Sequence, residues 1–89
     1  MAFTHGMNVE DVRRLGSTLQ AKAEEIRTIL NQIDSQLNAT TWVGPDAEQF
    51  KGQWWPEHKA SLSSVAERIN GFGQSALNNA SEQESVSGH

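Results

Sequence analysis

Cysteine is absent from this chain, which excludes disulfides and thiolate metal sites and leaves the redox compartment unmarked. Tyrosine is absent as well, and proline occurs only at Pro45 and Pro56. Basic residues are in the minority: seven Lys and Arg against eleven Asp and Glu give a formal charge of −4. With no basic stripe to neutralise phosphates, no nucleic-acid partner is expected. The mild acidity serves solubility. No apolar run approaches the length of a membrane span, so no stable membrane insertion is expected. The first residues, MAFTHGMNVEDVRR, carry neither an apolar stretch nor a small-residue cleavage site, and no cleaved signal peptide is expected. His5, His58 and His89 lie far apart with no carboxylates grouped around them. No metal and no other cofactor is expected.

At 89 residues the chain is one small domain, and domains of this size often need disulfides, metal or oligomerisation to supplement a modest core. With the first two excluded, oligomerisation is the remaining supplement.

Two long amphipathic patterns fill most of the sequence. Asn8 is placed as an N-cap, with Asp11 three residues on. Val12, Leu15, Leu19, Ala23, Ile26, Leu30, Ile33 and Leu37 then recur at spacings of three and four. At 100° per residue they fall within about 80° of arc, the single stripe of a helix with one buried face. Ile29 widens the stripe. Arg13, Arg14, Lys22, Glu24, Glu25, Arg27 and Asp34 lie between, mostly towards solvent. Gly16 is a weakness of roughly 1 kcal/mol against alanine if exposed.

The second pattern starts after Gly44. Pro45 suits a first helical turn, where its missing N–H costs nothing, and Asp46 and Glu48 complement the helix N-terminus. Ala47, Phe50, Trp54, His58, Leu62, Val65, Ile69, Phe72 and Ala76 form its stripe. Pro56 interrupts it, removing one hydrogen bond and crowding the carbonyl of Gly52, so a kink, a local opening or a helix restart is expected there. Trp54 and Trp55 are 100° apart and cannot share the stripe. Trp54 is assigned to the core and Trp55 to the hairpin edge or a partner contact. Gly71 and Gly73 weaken the end of the second helix, and the polar stretch beyond it reads as a frayed tail.

The expected fold is therefore all-α: an antiparallel helix–turn–helix hairpin over residues 8–80 with its turn at 40–45. It is flanked by a flexible N-terminus, 1–7, and a flexible polar C-terminal tail, 81–89. A lone pair of helices is a thin structure, so the hairpin is expected to pair into a dimeric four-helix bundle. Its hairpin and dimer interface draws on Leu15, Leu19, Ile26, Ile29, Leu30, Ile33, Leu37, Leu62, Val65, Ile69 and Phe72. Trp42 covers the open end of the core, and Gly44 supplies the close approach or positive φ of a tight reversal.

The stretch TTWVGPDAEQF, residues 40–50, carries a family resemblance. A hairpin of this length with Trp42, Val43 and Gly44 in its turn resembles the WXG family of small proteins exported by bacterial type VII secretion systems. Ala47 and Phe50 fall where that family has an alanine and an aromatic in the first turns of its second helix, and Trp54 continues the same face. The resemblance extends from about Asn8 to Ala80. It implies a non-catalytic protein that folds in the cytoplasm, dimerises with itself or with a paralogous WXG-type protein, and is handed to a secretion-machinery ATPase. It would be secreted without a cleaved signal peptide. The family's Tyr-x-x-x-Asp/Glu export element is missing: Phe72 is followed four residues on by Ala76. That departure implies a passive half of a heterodimer carried by a signal-bearing partner, or a homodimer exported by another feature.

Catalysis is not expected. Ser61, Ser63 and Ser64 lie near His58, but a helix surface offers neither an oxyanion hole nor a pocket. His58, on the stripe, is expected to be packed or hydrogen-bonded, with a pH-sensitive interface as the alternative. Two other functions remain open: an intracellular helical adaptor or chaperone-like partner, and a membrane-active effector, whose helix flanks are not strongly basic.

Overall fold

The computed structural model describes residues 6–87, the side chains of 86 and 87 excepted. His5, His89 and the outermost parts of both expected flexible segments lie outside these residues. Helix α1 runs Val9–Ala39 and a short helix α2 runs Pro45–Gln49. A π-helical turn follows at Phe50–Trp54, and helix α3 runs Trp55–Ser87. Among the described residues there is no strand. The hairpin is a rod with principal extents of 66 × 17 × 15 Å.

The signals that begin and end the helices act as their chemistry requires. Asn8 Oδ1 accepts the backbone N–H of Asp11 at 3.0 Å, satisfying one of the orphan donors of the first turn. The Asp11 carboxylate does not answer Asn8 but pairs with Arg14. At the other end, the Thr40 hydroxyl donates to the carbonyl of Gln36 at 2.6 Å. The last turn of α1 holds no basic residue. Lys51 supplies one from across the turn, donating to the carbonyls of Trp42 at 3.2 Å and Thr40 at 3.4 Å. A cation is favoured there by the partial negative charge of the helix C-terminus. Gly44 sits at φ +121°, a conformation L side chains rarely adopt. An added Cβ would meet nothing within 4 Å, so backbone conformation, not space, demands glycine.

Pro56 neither breaks the second helix nor restarts it. The chain widens instead: the N–H of Trp55 donates to the carbonyl of Phe50, five residues back. Single π turns of this kind insert one extra residue into a continuing helix. Proline at 56 has no N–H to return to Gly52 and would crowd its carbonyl, and the wider turn relieves both problems.

The extra residue corrects the assignment of the two tryptophans. Trp55, expected at an edge or a partner contact, is buried at 7% exposure. Trp54, expected in the core, is 47% exposed. Buried Ala47 and buried Trp55 are eight residues apart instead of the seven of two ordinary turns, so everything after the bulge is turned by about 100° relative to an unbroken helix.

The seam between α1 and α3 also differs from the expected stripes. Apart from Trp55, its buried residues are Gly16, Ala23 and Leu30 on one side and Ala66, Gly73 and Ala80 on the other. Both sets repeat every seven residues, the period of a helix held against one neighbour. Most of these residues are small, which lets the backbones close up. A Cβ on Gly16 would fall 2.8 Å from the carbonyl oxygen of Gly73. Gly16 and Gly73 are therefore close-approach positions, not simple weaknesses. The helices meet along one flank of each apolar stripe, and the bulky side chains on the other flank are left exposed.

Helix α3 passes Ala80, where the hairpin was expected to end, and continues to Ser87. Its last part is tied back by charge: Arg13 donates to Glu84 at 2.7 Å and also pairs with Glu10 at 3.0 Å. Glu84 first and Glu10 second raise the pKa of the Arg13 guanidinium above its ordinary value.

Candidate interaction surfaces

The residues expected to form the hairpin and dimer interface fall into two groups. Leu30 is buried, and Leu19, Ile26, Leu37 and Ile69 are half-buried along the seam's border. Leu15, Ile29, Ile33, Leu62, Val65 and Phe72 are exposed, Phe72 to 64% and Leu15 to 54%. The exposed members come from both helices and lie beside the seam on the same side of each stripe. The single chain thus uses its small residues for its own packing and leaves a long apolar face uncovered. Its six large exposed side chains exceed what scattered surface hydrophobics need explaining.

A second surface lies at the turn. Trp42, Phe50, Trp54 and His58 form a ladder of rings, with centroids 5.5, 5.0 and 4.1 Å apart in succession. Phe50 stacks on Trp54, and Trp54 on His58, each pair inclined by 25°. The spacing from Phe50 to Trp54 to His58 is four residues, about one helical turn; Phe50 is half-buried and Trp54 exposed. His58 is exposed and donates Nδ1–H to the carbonyl of Trp54 at 2.7 Å. It is hydrogen-bonded, as expected, but on the surface. Ala47 is buried beneath the turn at 2% exposure, and Trp42 remains 39% exposed. The indole of Trp42 therefore only partly covers the end of the core.

Between the surfaces, the seam holds a polar cluster that the sequence did not disclose. Asp34 accepts the Trp55 indole N–H at 2.7 Å and pairs with Lys59. The bonds from Lys59 and then Trp55 hold the Asp34 carboxyl below its usual range, because both donors favour the charged form. Asp34 was placed towards solvent by periodicity. Its position four residues after Leu30, itself on the seven-residue repeat, was the available signal.

Among the described residues, no three His, Cys, Asp or Glu side chains are grouped to hold a metal. No helix among them is long and apolar enough to cross a membrane. No family model, curated protein or solved structure matches the chain.

Proposed function

We propose that the chain is a non-catalytic protein-interaction module of the WXG type: a helical hairpin that acts as one half of a dimer, formed with itself or with a paralogous chain. The dimer is a substrate or co-substrate of a type VII secretion system and engages the system's ATPase after folding. The observation that carries this reading is the uncovered apolar face of Leu15, Ile29, Ile33, Leu62, Val65 and Phe72. Such a face is unfavourable in water by about 25 cal/mol for each Å² left uncovered, and a second hairpin laid along it would complete a four-helix arrangement. Trp42 and Gly44 in the turn, with Ala47 and Phe50 following, support the same reading through the resemblance. The lack of a tyrosine supports a partner that bears the export signal.

Two measurements test it together. The mass of the purified chain at low micromolar concentration, read beside its helical circular dichroism, is expected at twice the monomer value for self-pairing. For an obligate paralogue, the chain is expected poorly folded until the neighbouring chain is added. Release into culture medium, without lysis markers and dependent on the secretion ATPase, is the second expected result. A well-folded, stable monomer retained in the cell would overturn the proposal in favour of an intracellular adaptor.

A further inference from the structure

We propose that protonation of His58 opposes the pairing of two copies of this hairpin, a control that rests on the dimer proposed above and sets the conditions under which it forms. His58, Val65 and Phe72 recur every seven residues on α3, the repeat that the seam itself follows. All three therefore point within about 40° of one direction. Val65 and Phe72 are 45% and 64% exposed, and His58 is exposed with them. The histidine stands in the uncovered face, not beside it. That face runs along both helices, so its cover is an apolar surface of similar length, and the same face of a second copy is one.

The ring is held where a partner would meet it. Its Nδ1–H is donated to the Trp54 carbonyl at 2.7 Å, and it stacks on the Trp54 indole with centroids 4.1 Å apart. Swinging out to water loses both contacts. Because Nδ1 already carries a hydrogen, Nε2 is the atom that takes the second proton.

No counter-charge waits for that proton. Asp34, across the seam on α1, is held by Trp55 and Lys59. Ile29, Gln32, Ile33 and Gln36, which line the groove beside it, are uncharged. On α3, Glu57 is exposed and lies 100° round the helix from His58, and Lys59 is engaged with Asp34. A second copy brings Lys22 and Glu25, already paired with each other at 3.1 Å, and Arg68, another cation. Covering the ring thus removes its water and returns no carboxylate, which neutral imidazole tolerates far better than imidazolium. Histidine gains its charge between about pH 5 and pH 8. The covered state disfavours the proton, so pairing is strongest with His58 neutral and weakens as the pH falls through that range.

The test is sedimentation equilibrium of the full chain at about pH 7.5 and about pH 5.5, on either side of histidine's ordinary range, at one ionic strength. The dimer dissociation constant is expected to rise at least about tenfold in acid. His58→Phe keeps an aromatic ring and loses the proton site, and its dissociation constant is expected to change less than about twofold. His58→Gln, polar and uncharged, is expected to be equally insensitive. His5 and His89 remain in both variants, so the comparison isolates His58. An unchanged wild-type constant, tighter pairing in acid, or the same acid loss in both variants would overturn the proposal and leave the dimer standing. A chain monomeric at both pH values would overturn it together with self-pairing.

Discussion

Gly16 and Gly73 meet backbone to backbone across the hairpin: a Cβ on either would lie within 2.8 Å of the other's carbonyl oxygen. Neither carbonyl can yield without parting the helices. Gly16→Ala and Gly73→Ala are each expected to destabilise the fold by about 1–3 kcal/mol, although alanine is the better helix former by about 1 kcal/mol. Gly71, where an added Cβ meets nothing within 4 Å, is the control, and Gly71→Ala is expected to stabilise by up to about 1 kcal/mol. Thermal melts followed by circular dichroism check the opposite signs. A stabilised Gly16→Ala variant would refute the close-packed seam.

The two adjacent tryptophans are expected to behave very differently. Trp55→Ala empties a buried site and leaves Asp34 without its indole donor, at a cost of about 3–5 kcal/mol. Trp54→Ala loses ring stacking on the surface, about 1 kcal/mol. Urea titrations of both variants decide the matter. Similar losses would contradict the register set by the π turn.

Acid is expected to weaken the hairpin through Asp34. Its folded pKa is depressed by Lys59 and Trp55, so its contribution is fully present above the carboxylate's ordinary pKa and is lost as pH falls through the lower folded value. The Trp55 fluorescence of the native chain should therefore change more steeply on the acid side of pH 4 (approximately the free carboxylate value) than that of Asp34→Asn. Superimposable acid titrations of the two proteins would remove Asp34 from the account.

Charge placed on the uncovered face separates assembly from folding. Phe72 and Leu62 are exposed in the single chain, so Leu62→Glu with Phe72→Glu is expected to leave a lone hairpin's helicity nearly unchanged. If the chain self-pairs as proposed, the same double variant is expected to halve the mass measured by light scattering. A dimer that survives both substitutions would place the interface elsewhere.

The hairpin was legible because spacings of three and four, an Asn cap and a Gly-Pro turn all point one way. What the sequence hid is which part of each apolar stripe the chain covers by itself. Periodicity locates apolar residues, whereas the seam is chosen by how closely two backbones can approach, and glycine and alanine carry little weight in a hydrophobic count. The seven-residue recurrence of Gly16, Ala23 and Leu30, and of Ala66, Gly73 and Ala80, was the signal for it. Pro56 announced a disturbance but not its form. A kink leaves the register intact, while a one-residue bulge moves it, and that difference exchanged Trp54 with Trp55.

The bulge also fixes the tolerance of the chain to changes in length. Removing a single residue from 50–54 would return the wide turn to an ordinary helical one, with Ala47 and Trp55 seven residues apart and Ala66, Gly73 and Ala80 still on the seam. The crowding around Pro56 would be the cost. The same removal between Trp55 and Ala66 would instead swing the rest of α3 by about 100°, carrying its small residues off the seam. The bulged turn is thus the slack in the chain, a place where one residue more or less is absorbed that the helices on either side could not absorb.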